Sequence, residues 1–179
     1  MATVFTHPVV ALALVSPLRA HPHWKLILLA GVLLTIFPDI DVISFRLGIP
    51  YENVWGHRGM THSIFFAALT GLITVFLFTR QCNKQFVLLW AYFFVCMASH
   101  GVFDAMTNGG KGVAFFAPFS DARYFMPIRP LEVSTLDLKR FMSAHGINVL
   151  KSELIWIWLP FSTLYLFFSR IKIKNIFSR

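Results

Sequence analysis

Five apolar runs divide the chain, at residues 8–18, 26–37, 64–79, 86–98 and 154–168, and the polar residues gather in the stretches between them. A bilayer core about 30 Å thick asks for about 20 helical residues, so each run needs its flanks. The third extends back through Ser63, the fourth on through Ser99 to Met106, and the fifth through Ile171. Pro8 and Pro17 bracket the first run, which reads as a short, tilted or re-entrant helix of the kind tolerated where protein or a watery cavity covers its backbone. The pattern predicts an all-α, polytopic helical membrane protein with four to five short transmembrane helices. They form a single domain over residues 1–179, with a large loop at 105–153.

Composition agrees with a membrane class. Hydrophobic residue types make up 56% of the 179 residues and charged ones 13%, where a soluble domain carries about 25% charged. Cys82 and Cys96 are too few for a disulfide framework or a thiolate zinc site, so any metal must be held by His and carboxylate. The net charge of +8 raises nucleic acid as a partner, but its distribution points elsewhere. If the runs cross in alternation, all eight acidic residues fall on one face or at its border: Asp39, Asp41, Glu52, Asp104, Asp121, Glu132, Asp137 and Glu153. The short connections on the other face carry Arg19, Lys25, Arg80, Lys84, Arg170, Lys172, Lys174 and Arg179, the pattern of cytoplasmic loops. This is a topology signal for the bacterial cytoplasmic membrane, with anionic lipid as the partner and no nucleic acid. With no Lys or Arg ahead of the first run, the N-terminus does not read as a cleaved signal peptide.

Ionisable groups at membrane depth are costly and mark function by default. Four clusters qualify: Thr6-His7, Asp39 with Asp41, His57 to Ser63, and His100 with Asp104. They stand at entrance, exit, entrance and exit of successive runs, which places them at one end of the bundle. His100 and Asp104, four apart, share a helix face. His57 and His62, five apart, converge only if a helix begins between them; Gly59 supplies the turn and Thr61 the cap. Asp39 and Asp41 face the same way if Pro38 leads into an extended segment, one ligating and the other orienting a histidine. With His7 the candidate metal ligands are His7, Asp39, Asp41, His57, His62, His100 and Asp104. This nitrogen and oxygen set suits one or two divalent ions, zinc foremost, with manganese or iron as alternatives. His21, His23 and His145 read as structural or interfacial. No GxSxG serine, supported Cys/His dyad or phosphate-binding Gly loop occurs, which disfavours serine, thiol and nucleotide hydrolysis.

The order Thr6-His7, PDID at 38–41, GHRGMTHS at 56–63 and SHGVFDAMTNGG at 99–110 resembles the YdjM-type, LexA-regulated family of membrane-bound predicted metal-dependent hydrolases. The loop at 115–135, with Pro118, Arg123, Pro127, Arg129 and Pro130, also resembles that family. The resemblance implies metal-dependent hydrolysis and a distant similarity to the zinc phospholipase C and P1 nuclease group. A hydrolase of this kind would use a metal-activated water, Asp41 or Asp39 as base, and Arg58, Arg123 and Arg129 to hold a phosphate. At the membrane boundary the expected substrate is a phosphoester in a lipid or another amphiphile. Two alternatives stay open: a non-catalytic metal-binding or transport protein, and a pH-responsive membrane interaction protein built on His.

Overall fold

Pro8 opens the first helix, α1 (Pro8–Leu14), at a position where its missing amide would have had no partner. Pro17 then belongs to a 3-10 turn, Ser16–Ala20, that ends the run. The computed structural model describes residues 1–79, 84–135 and 137–170; Arg80, Cys82, Ile171, Lys172, Lys174 and Arg179 lie outside the described residues. Helix α2 (Trp24–Ile36) passes directly into a 3-10 turn, Phe37–Val42, and then into α3 (Ile43–Arg46). After a loop and a further 3-10 turn, Met60–His62, come α4 (Ile64–Val75) and the long α5 (Lys84–Ala105). The remainder holds α6 (Leu138–Phe141), α7 (Ala144–Glu153), a π-helical turn Leu154–Trp158, and α8 (Leu159–Arg170). Among the described residues there is no strand. Two isolated bridges, Thr107 with Leu131 and Val113 with Tyr124, tie down the loop after α5.

The expectation of four to five spans is corrected. Among the described residues, two helices are long and apolar enough to cross a bilayer, Trp24–Arg46 and Lys84–Ala105. The sequence reading closed the second run at Pro38, but this proline sits in the first turn of the 3-10 segment, where no amide is required. The helix therefore continues to Arg46. The third run yields only the 12 residues of α4, because the chain leaves the helix for turns after Val75. The first yields the seven residues of α1. The fifth continues α7, but Ser162, Thr163, Tyr165 and Ser169 dilute its apolar character.

Helix α5 is the axis of the fold, with α1, α2 and α4 packed on it. Val15, Leu18, Ile27, Leu89, Tyr92, Phe93 and Cys96 form the core between these helices. The surface runs the other way from that of a water-soluble bundle. Leu26, Leu29 and Leu33 of α2 and Leu69, Leu72 and Ile73 of α4 are exposed, while His7, Arg58, His62, His100, Asp104 and Glu153 are buried. Gly71 lets α4 approach the α5 backbone closely, since a Cβ there would lie 3.0 Å from the Phe94 amide nitrogen. Gly71→Leu is expected to destabilise the protein by about 1–3 kcal/mol through overpacking, read as a lowered unfolding midpoint in detergent.

Candidate metal centre

The i, i+4 pair on α5 sets the geometry. His100 and Asp104 are fully buried on the face of α5 that meets the Phe37–Val42 turn and the Met60–His62 turn. His100 Nδ1 donates to the Thr35 carbonyl of α2 at 2.7 Å. That bond fixes the proton on Nδ1 and leaves the Nε2 lone pair facing Asp39 Oδ1, 3.2 Å away. Asp104 Oδ1 accepts the Ala2 amide at 3.1 Å, and Oδ2 lies 2.9 Å from Arg58 Nε and 3.5 Å from His62 Nε2.

The loop between α3 and α4 delivers the histidine pair. Arg58 has a positive φ of 60°, and Gly59 packs so tightly against the Val54 and Gly56 carbonyls that a Cβ has no room. The chain therefore reverses between His57 and His62, and both rings turn toward one carboxylate. Asp41 accepts the His57 Nδ1 proton on Oδ1 at 2.6 Å, and on Oδ2 the Arg58 amide at 3.0 Å, the Thr61 hydroxyl at 2.7 Å and His62 Nδ1 at 3.0 Å. Two expectations are corrected here. Thr61 serves Asp41 and does not cap α4, a role taken by Ser63, whose hydroxyl accepts the Phe66 amide at 3.1 Å. Asp39 and Asp41 lie in a 3-10 turn, not an extended segment. With about three residues per turn, positions i and i+2 diverge, so Asp39 reaches His100 while Asp41 reaches the His57–His62 loop.

Ligand-type atoms of Asp39, His62, His100 and Asp104 all lie within 4.8 Å of one another, and a second group, Asp39, Asp41 and His57, meets the same limit. Asp39 is common to both. In the first group, Asp39 Oδ1, His62 Nε2, His100 Nε2 and Asp104 Oδ2 are buried and none makes a hydrogen bond of good geometry; their close polar contacts are one another and Arg58 Nε. Buried polar atoms are rarely left so, and four of them converging is the arrangement that a metal ion satisfies. The other nitrogen of each histidine is held by the protein, as ligand histidines are oriented in metal sites. Burial disfavours a charge on His62, but the Asp104 and Asp41 carboxylates outweigh it and raise its pKa to about 9. The pocket thus favours a cation. His7 stacks on His100 with ring centroids 3.8 Å apart; burial and the neighbouring His100 push its pKa down to about 3, and both its nitrogens are buried without a hydrogen-bond partner.

A sequence profile described as YdjM inner membrane protein matches residues 1–176. The chain belongs to the YdjM family. It is 40% identical over 160 residues to the inner membrane protein YbcI of Escherichia coli (strain K12), covering 89% of this chain and 92% of that relative. These likenesses make it an integral protein of the bacterial inner membrane. No solved structure matches significantly, and the likeness to the zinc phospholipase C and P1 nuclease group gains nothing from the comparisons.

The three arginines of this YdjM-family chain are placed differently from one another. Arg58 is buried, with Nε on Asp104, one terminal nitrogen donating to the Gly109 carbonyl at 3.1 Å and the other to the Thr107 hydroxyl at 3.2 Å. Arg123 braces the 51–58 loop, donating to the His57 carbonyl at 3.0 Å and the Tyr51 carbonyl at 2.6 Å. Arg129 is exposed and lies over the Phe125 ring at 4.6 Å. His23 is exposed, its amide donating to His21 Nδ1, and His145 donates to the Val133 carbonyl; neither belongs to the groups of converging ligand atoms. The sequence reading missed Thr35, whose useful group is a backbone carbonyl, and Thr107. It also counted Glu153 only as a boundary charge, although a carboxylate beside an apolar run was signal enough to ask for a partner.

Proposed function

We propose that this YdjM-family protein is a membrane-bound metal-dependent hydrolase that cleaves a phosphoester of a lipid or lipid-linked molecule. The observation that supports it is the convergence of four buried ligand atoms from Asp39, His62, His100 and Asp104, whose close polar contacts are one another and Arg58 Nε. This donor set suits zinc, with manganese or iron as alternatives. One ion would take the four-residue group, and a second, held by Asp39, Asp41 and His57, would have to displace donors from Asp41. A bound ion supplies Lewis acidity and makes water nucleophilic near neutral pH. The protein's own groups then divide the work. Asp41, filled by four donors, orients His57 and His62. Asp39, with its side chain 13% exposed where those of His100 and Asp104 are 0%, is the carboxylate that solvent can reach, and we assign as base the oxygen that it does not give to the ion. Arg129 is free to meet a phosphate, whereas Arg58 and Arg123 hold the site together. We place the site face outside the cytoplasm, because both long helices start at basic ends, with Lys25 and Lys84, and carry Asp39, Asp41 and Asp104 toward the other end.

A second reading, an ion held without catalysis, draws on the same closure: structural sites are closed, catalytic ones keep a position open. Purified protein in lipid micelles should carry about one or two transition-metal ions and release phosphate or a phosphorylated headgroup from a panel of phosphatidic acid, phosphatidylglycerol and isoprenyl phosphates. Asp39→Asn should lower turnover by about 100-fold or more, the usual contribution of a general base. Bound metal with no turnover on any phosphoester would favour the non-catalytic reading, and no metal at all would remove both.

A further inference from the structure

Glu153 is a fully buried carboxylate that the proposed chemistry does not use. It ends α7, next to the π-helical turn. All its partners lie near the other end of the chain. One oxygen accepts the Thr3 amide, and the other accepts the Thr3 hydroxyl at 2.6 Å and the Thr6 hydroxyl at 2.7 Å. Trp158 Nε1 donates to the same Thr6 hydroxyl at 2.9 Å. Residues five apart stand about 140° apart on a regular α-helix, so Glu153 and Trp158 would not ordinarily meet one hydroxyl. The widened turn lets them: the Leu159 amide donates back five residues to the Leu154 carbonyl. Pro160 contributes the cause, since it has no amide to close the α-helical bond to Trp156. Turns of this type recur at functional sites.

The next residue after Thr6 is His7. Its nitrogens make no hydrogen bond, so among the described contacts its ring is set by stacking on His100, by the Phe103 ring 5.9 Å away and by the backbone that Thr6 anchors. We infer that Glu153 and Trp158 form a clamp on Thr6 that positions His7 as a further donor beside the metal centre, which makes Glu153 a positioning residue. The inference rests on the metal-centre reading and extends it to a segment for which the sequence offered no role.

The test uses the full chain in detergent. Thr6→Val removes the hydroxyl at nearly constant volume, Thr6→Ser keeps it, and Trp158→Phe deletes only the indole donor. Two readouts are taken: carbethoxylation of His7 by diethyl pyrocarbonate in metal-stripped protein, mapped by peptide mass spectrometry, and zinc affinity. Thr6→Val and Glu153→Gln should expose His7 to faster modification and weaken zinc binding about 10- to 100-fold, the usual effect of removing an outer-shell partner. Thr6→Ser should behave as wild type, and Trp158→Phe should fall between. Wild-type His7 reactivity and zinc affinity in Thr6→Val would overturn the clamp while leaving the metal centre standing. A wild-type chain that binds no zinc would overturn the metal centre and with it the donor role of His7, while the His7 reactivity, which needs no metal, would still report whether the clamp holds the ring.

Discussion

Asp104→Ala is expected to destabilise the protein by about 3–5 kcal/mol, the cost of leaving a buried charge without its partner. Arg58 is the charge concerned. Its Nε sits 2.9 Å from Asp104 Oδ2, with both side chains essentially inaccessible. Asp104 also accepts the Ala2 amide, so the N-terminal segment loosens with it. The measurement is the unfolding midpoint in detergent under increasing denaturant. The double variant Arg58→Met with Asp104→Leu should recover most of the loss, because buried ion pairs replaced by apolar residues of similar size are often neutral or better. It should not recover metal binding. A single variant as stable as wild type would mean that Arg58 finds another partner and that the pair does not anchor the site.

His100→Ala carries the second large effect. Structural zinc sites in peptides hold about 10–16 kcal/mol of binding free energy over four ligands, so one ligand is worth about 3 kcal/mol, or about 100-fold in affinity. Zinc retained by wild-type protein through dialysis should be lost from His100→Ala, measured by elemental mass spectrometry. His23→Ala, altered at an exposed ring far from the centre, should keep it. Equal retention in both variants would remove His100 from the ligand set. Because His100 Nδ1 serves the Thr35 carbonyl, the loss also frees a buried acceptor, and a modest fall in stability should accompany it.

The parts of this site that were legible in sequence are those set by local geometry. His100 and Asp104 announced themselves by helical spacing. His57 and His62 did so because Gly59 demands a turn. The roles of Asp39 and Asp41 were not legible, since they depend on whether Pro38 starts an extended segment or a 3-10 turn, and a proline is at home in both. The number of spans failed at Pro17, where a 3-10 turn ends the first run, and again at Val75, where apolar residues continue but the helix does not. Glu153 was invisible as a partner of Thr3 and Thr6 because about 150 residues separate them, and no periodicity reports a contact of that range. Arg58 and Arg123 were read as phosphate groups from residue type. Their hydrogen bonds are to the protein itself.

The tightening of the first long helix at Phe37–Val42 has a consequence for depth. An α-helix advances about 1.5 Å per residue and a 3-10 turn about 2.0 Å, so α2 and the start of the turn bring Asp39 about 24 Å from Trp24. On α5, His100 lies about 24 Å and Asp104 about 30 Å from Lys84 by the same rise. The two helices thus deliver their ligands level with one another, near the far edge of a hydrocarbon layer about 30 Å thick. At that height a cation would arrive from the water, and the lipid phosphate of the proposed reaction would arrive sideways from within its own leaflet without leaving it.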